Sequence, residues 1–278
     1  LVADIHFDYK LAIAAAEAGV DKLRINPGNI GSIDRVKAVV SAAKERSIPI
    51  RIGVNAGSID RSRYGSPTPE ALVESALDEA KVLENCGFYD IVLSLKASDV
   101  ITMIRAYEMV SKQCDYPLHL GVTEAGLAWE GTIRNSVGIG ALLAQGIGDT
   151  IRVSLTGDPV EEVRAGIEIL NSLGLHKKAY TLISCPTCGR CQIDLAGIAF
   201  QVREYLEANP PAKPITVAVM GCVVNGPGEA SDADVGIAGG RGAGALFIKG
   251  KMARKADEDQ LVTELIKEIE NLGTDSEG

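Results

Sequence analysis

Four of the six cysteines fall in one part of the chain: Cys185-Pro-Thr-Cys188-Gly-Arg-Cys191, then Cys222 31 residues later. Thiolates three positions apart on a turn can reach one metal centre, and a third from a distant segment can close it. Six cysteines, this unevenly placed, are too few for a disulfide framework in 278 residues, so the group reads as metal binding in a reducing, cytoplasmic setting. Two chemistries are open. A structural zinc ribbon supplies two CxxC pairs, whereas iron–sulfur clusters often take a last ligand from a remote stretch. The lone Cys222 favours a cluster. Structural zinc is the alternative, as is an all-cysteine electron carrier that uses Cys191.

A second group of polar residues recurs at the ends of short apolar runs: Asp4 and His6, Arg24 and Asn26, Arg51 and Asn55, Lys96, Glu124, then Ser154 and Thr156. The runs are Leu1–Phe7, Asp21–Asn26, Ile48–Asn55, Asp90–Lys96, Leu118–Glu124 and Thr150–Leu155. Each precedes an amphipathic stretch: Ala12–Ala18, Ile33–Arg46, Pro69–Asn85, Val100–Gln113, Arg134–Gln145 and Val160–Leu173. Strands alternating with helices of this length are parallel βα units. Polar residues at the carboxyl end of every strand are what a TIM-type (β/α) barrel needs at its mouth. A doubly wound sheet would gather function at one switch point. The expectation is an α/β chain with six of the eight barrel units over residues 1–176.

The rhythm breaks at Gly174–Lys178. Residues 177–278 read as a small α+β domain: strand Tyr180–Ser184, the cysteine turn, helix Asp194–Ala208, strand Ile215–Met220, short strands Val235–Ala238 and Ala245–Lys249, and helix Asp259–Leu272. Gly-Gly-Arg-Gly-Ala-Gly at 239–244 superficially looks like a phosphate loop, but no strand–loop–helix unit surrounds it and it reads as a turn between strands.

Composition narrows the classes. A hydrophobic fraction of 46 % with only 4 % aromatics fits tightly packed α/β units whose strands are buried on both faces. The net charge is −9 and neither half carries a basic excess, which argues against nucleic acid as a partner. No apolar run reaches membrane-spanning length. An anion is bound, on this reading, only where a few Arg and Lys converge.

The cysteine motif, followed by Gly-Cys222-Val-Val-Asn225-Gly-Pro-Gly-Glu229 and Asp-Ala-Asp-Val-Gly-Ile-Ala-Gly-Gly, resembles the cluster domain of the 4-hydroxy-3-methylbut-2-enyl diphosphate synthase family. Ala-Asp4-Ile-His-Phe, Leu-Arg24-Ile-Asn-Pro-Gly-Asn, Arg51-Ile-Gly-Val-Asn55-Ala-Gly-Ser, Ser-Leu-Lys96-Ala-Ser and Gly-Val-Thr-Glu124-Ala-Gly resemble its barrel, in the same order through essentially the whole chain. The resemblance implies a [4Fe–4S] cluster on Cys185, Cys188, Cys222 and Glu229, the carboxylate marking an iron that exchanges its ligand more readily than a thiolate-bound one. It implies reductive ring opening of 2-C-methylerythritol 2,4-cyclodiphosphate with electrons from reduced ferredoxin or flavodoxin. Arg24, Arg51 and Lys96, at equivalent strand ends, would grip the phosphates. Glu124 would donate a proton, and Asp4, Asn55, Ser154 and Asn225 would hydrogen-bond substrate.

His6 stands between site and support; His119 and His176 read as structural or exposed, Cys86 and Cys114 as inert. A helix returning to the barrel bottom before the cluster domain implies a head-to-tail homodimer. With six units where a closed barrel has eight, residues 1–278 are expected to be a segment lacking upstream barrel units and inactive by themselves.

Overall fold

The computed structural model describes residues 1–222, 228 and 231–274, so Asn225 and Glu229 lie outside the described residues. The chain divides into two compact units, Leu1–His176 and Lys177–Gly278.

The first unit is α/β with parallel strands. β1 (Val2–Asp4), β2 (Lys22–Ile25), β3 (Ile50–Asn55) and β4 (Ile91–Lys96) pair in chain order, and β5 (His119–Leu120) pairs with β6 (Thr150–Ile151). A parallel bridge between Leu93 and Leu118 joins the two sets into one succession. Side chains alternate across a strand, and register makes the two faces chemically distinct. Leu23 pairs with Ile50 and Ile25 with Ile52; Ile52 pairs with Leu93 and Val54 with Leu95, all buried. This face packs with helix residues such as Val39, Leu72, Leu83 and Met103 in one core. The opposite face carries Asp4, Arg24, Arg51, Asn55, Ser94 and Lys96. Burial on both faces, as the composition suggested, holds for all six residues of β4 and for most of β3, but the second face is buried largely with polar groups. One face holds the unit together and the other is kept polar.

Several of the helices begin where the sequence offers a cap. Asp8, Asp99 and Asp158 accept the second or third backbone N–H of α1 (Tyr9–Glu17), α6 (Val100–Val110) and α8 (Pro159–Ser172), after α2 (Pro27–Ile30), α3 (Ile33–Glu45), α4 (Arg61–Tyr64), α5 (Pro69–Glu84) and α7 (Ala128–Leu143) are placed between them in chain order. Thr68 caps α5, with Pro69 in its first turn. Strands β5 and β6 are only two residues long, shorter than the apolar runs predict, and α7 starts six positions earlier than its apolar period.

The second unit is a five-stranded mixed sheet of order β11-β10-β9-β8-β7. β7 (Tyr180–Ser184), β8 (Ile215–Met220) and β9 (Val235–Gly239) run parallel, while β10 (Ala243–Ile248) and β11 (Lys251–Asp257) return antiparallel. Residues 240–242, within Gly-Gly-Arg-Gly-Ala-Gly, form the hairpin turn between β9 and β10, as expected. Helices α9 (Leu195–Ala208) and α10 (Leu261–Thr274) cover one face through Ile198, Val202, Leu265 and Ile269. β11 escapes the sequence reading: Lys-Met-Ala-Arg-Lys-Ala-Asp is almost wholly exposed, so no apolar alternation marks it. Its charged side chains suit an edge strand.

Candidate active site and cluster ligands

Asp4, Arg24 and Arg51 occupy one rung across β1, β2 and β3, since Asp4 pairs with Arg24 and Arg24 with Arg51. Lys96 is not on that rung. It pairs with Asn55, four residues further along β3 and β4, so the cations sit at two depths rather than at equivalent strand ends. Arg24 is buried, donating to Asp4 Oδ1 at 2.8 Å and to the Gly53 carbonyl at 3.1 Å. Arg51 keeps its Nε buried without a partner, and burial together with the Arg24 guanidinium lowers its proton affinity.

Lys96 is 6 % exposed. Burial, then the charges of Arg152, Arg51 and Arg24, pull its ammonium down to about 7, with Asp4 opposing them. A face that brings like charges together in low dielectric has the chemistry to bind a multiply charged anion.

Two members of this face were missed from sequence. Arg152, next after β6, belongs to the ring by its electrostatic coupling to Lys96, Arg51 and His119, and its guanidinium donates to Ser154 Oγ at 3.2 Å. Its signal was available: it lies two residues before Ser154, on the same face of an extended segment. His119, read as structural or exposed, is buried on the same face. Its Nδ1 lies 2.8 Å from Thr150 Oγ1, its Nε2 has no partner, and burial with Lys96 and Arg51 holds its pKa down to about 2, so the ring is neutral.

Glu124 follows Gly121-Val-Thr beyond β5 and is exposed. Its backbone is left-handed, with φ of 55°, a conformation seldom adopted away from glycine. Its carboxylate approaches Gly57, 3.7 Å from where a β-carbon would stand there, so it comes near the segment that leaves Asn55. Ser154 is held by Asn135 of α7, whose side chain donates to the Ser154 carbonyl at 3.1 Å and to Gly131 at 2.8 Å. A fully buried Asn in a helix is the trace of that role. His6 approaches Asp4 at 3.8 Å and stays exposed, and His176 is exposed too.

In the second unit Cys185 directly follows β7, and Cys222 follows β8 by two residues. Because β7 and β8 are parallel neighbours with Ser184 opposite Val219, both cysteines emerge at the same sheet end. The Gly221 N–H donates to Cys185 Sγ at 3.2 Å. The Arg190 backbone N–H, then its guanidinium, lower the pKa of Cys188. Amides and a guanidinium aimed at sulfur stabilise thiolates, the form a cluster needs. The donor chemistry thus fits, although no group of three or more metal-binding side chains is assembled among the described residues. Cys191 is occupied otherwise: its thiol donates to the Ile193 carbonyl at 3.4 Å and packs on Gly221, 2.6 Å from where a β-carbon would be. Cys86 and Cys114 sit at the margin of the first core. No helix among the described residues is long and apolar enough to cross a membrane.

Residues 1–167 match the family model described as the GcpE TIM-barrel domain, and residues 181–271 match that of the GcpE protein C-terminal domain. A 4-hydroxy-3-methylbut-2-en-1-yl diphosphate synthase (flavodoxin) of Clostridium perfringens is 61 % identical over 275 residues, 98 % of this chain and 78 % of that protein. The protein of the same name from Geobacillus thermodenitrificans is 60 % identical, covering 98 % of this chain and 73 % of its own length.

Proposed function

The chain belongs to the GcpE family, and from that premise we propose how its residues share the work of a 4-hydroxy-3-methylbut-2-en-1-yl diphosphate synthase. The enzyme is an oxidoreductase that opens 2-C-methylerythritol 2,4-cyclodiphosphate to 4-hydroxy-3-methylbut-2-enyl diphosphate and water. The ring of cations on one face of β2, β3, β4 and the segment after β6 is the observation that supports this division most directly.

In the proposal the first unit is a TIM-type barrel whose polar face is the mouth. Arg24, Arg51, Lys96 and Arg152 bind the two phosphates, with planar guanidiniums gripping oxygens in pairs. Asp4 orients Arg24, while Asn55, Ser154 and Asn225 hydrogen-bond the substrate. Glu124 supplies the proton that lets the departing hydroxyl leave as water. Its left-handed backbone, with the carboxylate turned towards Gly57, is a strained geometry of the kind that persists where function requires it.

Cys185, Cys188 and Cys222 would hold a [4Fe–4S] cluster, with Glu229 as the fourth ligand. When bound, the cluster supplies the two electrons of the reduction, one at a time, drawn from reduced flavodoxin or ferredoxin. A head-to-tail homodimer completes the proposal.

The test is anaerobic reconstitution with iron and sulfide of these residues within a chain spanning the full length of the relatives, followed by turnover of the cyclodiphosphate with a reduced flavodoxin or a chemical reductant. Formation of the linear diphosphate at stoichiometry of two electrons per product supports the assignment. A cluster-loaded chain that binds neither substrate nor inorganic diphosphate would overturn the roles given to the cations.

A further inference from the structure

Strands β4 and β5 meet at an incomplete ladder. The Leu93 N–H donates to the Pro117 carbonyl at 2.9 Å, and Leu93 bridges Leu118. Parallel ladders space their bonds evenly, so the next rung falls between the Leu95 N–H and the His119 carbonyl. That rung is replaced. Leu95 N–H donates to the Tyr107 hydroxyl at 2.9 Å, and the hydroxyl donates to the His119 carbonyl at 2.5 Å. Further along, the Thr123 N–H donates to the Ala97 carbonyl at 3.2 Å, in unchanged register.

Tyr107 comes from α6 on the helix-covered side and is fully buried. Its hydroxyl enters the sheet between the residue that precedes Lys96 and His119 itself. Two residues past His119 stands Gly121. A β-carbon there would lie 2.9 Å from the Arg152 carbonyl oxygen, 3.3 Å from Lys96 Cε and 3.7 Å from Cδ, so the lysine stem passes over that glycine beside the neighbouring backbone. The inserted oxygen and the missing side chain act on the same gap. One widens it and the other leaves it open to Lys96.

We propose that Tyr107 is a positioning residue for the cation ring: its hydroxyl, serving as a rung between β4 and β5, sets the gap across which Lys96 reaches over Gly121 and so fixes where the ammonium meets an anion. The inference rests on reading the ring as a phosphate site. A Tyr buried for packing alone would need no bond to both strands, since a Phe fills the same space. Losing the hydroxyl lets the strands close or admits water, and either change moves Lys96 among the groups that face it: Arg152, Arg51, Arg24, Asp4 and His119.

The test compares the whole chain with Tyr107→Phe, Lys96→Met and the double variant, measuring inorganic diphosphate binding by calorimetry. Tyr107→Phe is expected to weaken binding about tenfold, the effect of disturbing one charge-assisted contact, and to add nothing further in the Lys96→Met background. In parallel, the pH midpoint for acetylation of Lys96 by acetic anhydride, read by peptide mass spectrometry, is expected to rise by at least about half a unit in Tyr107→Phe as the ammonium leaves its crowded position. Additive losses, or an unmoved midpoint, would overturn the proposal. Tyr107→Met, with a flexible side chain that fills irregular space, replaces Tyr107→Phe if the latter does not fold. Failure of both to fold would make the hydroxyl a requirement of folding rather than a positioning device, and would also overturn it. If the parent chain binds no diphosphate, the phosphate reading fails separately and the Lys96 midpoint alone decides.

Discussion

The Arg24 guanidinium lies across Gly53, in the space a β-carbon would occupy, and bonds to the carbonyl of that same residue. Any side chain at position 53 must displace it. Gly53→Ala is therefore expected to cost about 1–3 kcal/mol of stability, as overpacked sites do, and to weaken diphosphate binding by breaking the Arg24–Asp4 geometry. Denaturant unfolding and calorimetry check both. A variant as stable as the parent and binding equally well would show that Arg24 does not hold this place in solution.

Lys96 sets a pH dependence of known sign. In the free protein its ammonium loses its proton near pH 7, against an ordinary value of 10.5. A bound phosphate favours the charged form, so binding takes up a proton above pH 7 and affinity falls as pH rises through that range. Calorimetry in buffers of different ionisation enthalpy measures the uptake, and Lys96→Arg, charged throughout, should abolish it. For stability, the unfolded chain binds more protons than the folded one between about pH 7 and 10.5, so this group's contribution improves with rising pH across that window and is least favourable below it.

Glu124→Gln preserves size and hydrogen bonding but cannot give up a proton. Turnover is expected to drop about 10²–10⁴-fold, the usual worth of a general acid, while affinity for the cyclodiphosphate stays within a small factor. Unchanged turnover would place the proton donor elsewhere.

The cysteines should separate into two kinds. Alanine at Cys185, Cys188 or Cys222 is expected to abolish bound iron and acid-labile sulfide after anaerobic reconstitution. Cys191→Ala should retain both and lose roughly 1 kcal/mol of stability, because its thiol packs on Gly221 and bonds to Ile193. Iron retained in Cys222→Ala and lost on further removal of Cys191 would reverse the assignment.

The sequence by itself determined the kinds of residue and the order of the elements. Alternation in Lys-Leu-Arg-Ile and Ile-Arg-Ile-Gly-Val-Asn marks two strands and puts Arg24 and Arg51 on one face, because period two is a local property of extended chain. The spacing of Cys185, Cys188 and Cys222 suggests a metal site for the same reason: residue type and local turn are written in neighbouring residues. Depth and company were decided only by tertiary structure. Lys96 stands level with Asn55 rather than with Arg51 because strand register is fixed by packing of the apolar face, which no single strand encodes. His119 lies in a strand of two residues and Arg152 directly follows another, both too short to show a period. The strand Lys251–Asp257 carries almost no buried face, so only its pairing with Ala243–Ile248 defines it. Tyr107 reads in sequence as one more apolar position of a helix. Its hydroxyl finds a place between two strands only when residues 95 and 119 are brought together, and long-range contact of that kind is a property of the folded chain alone.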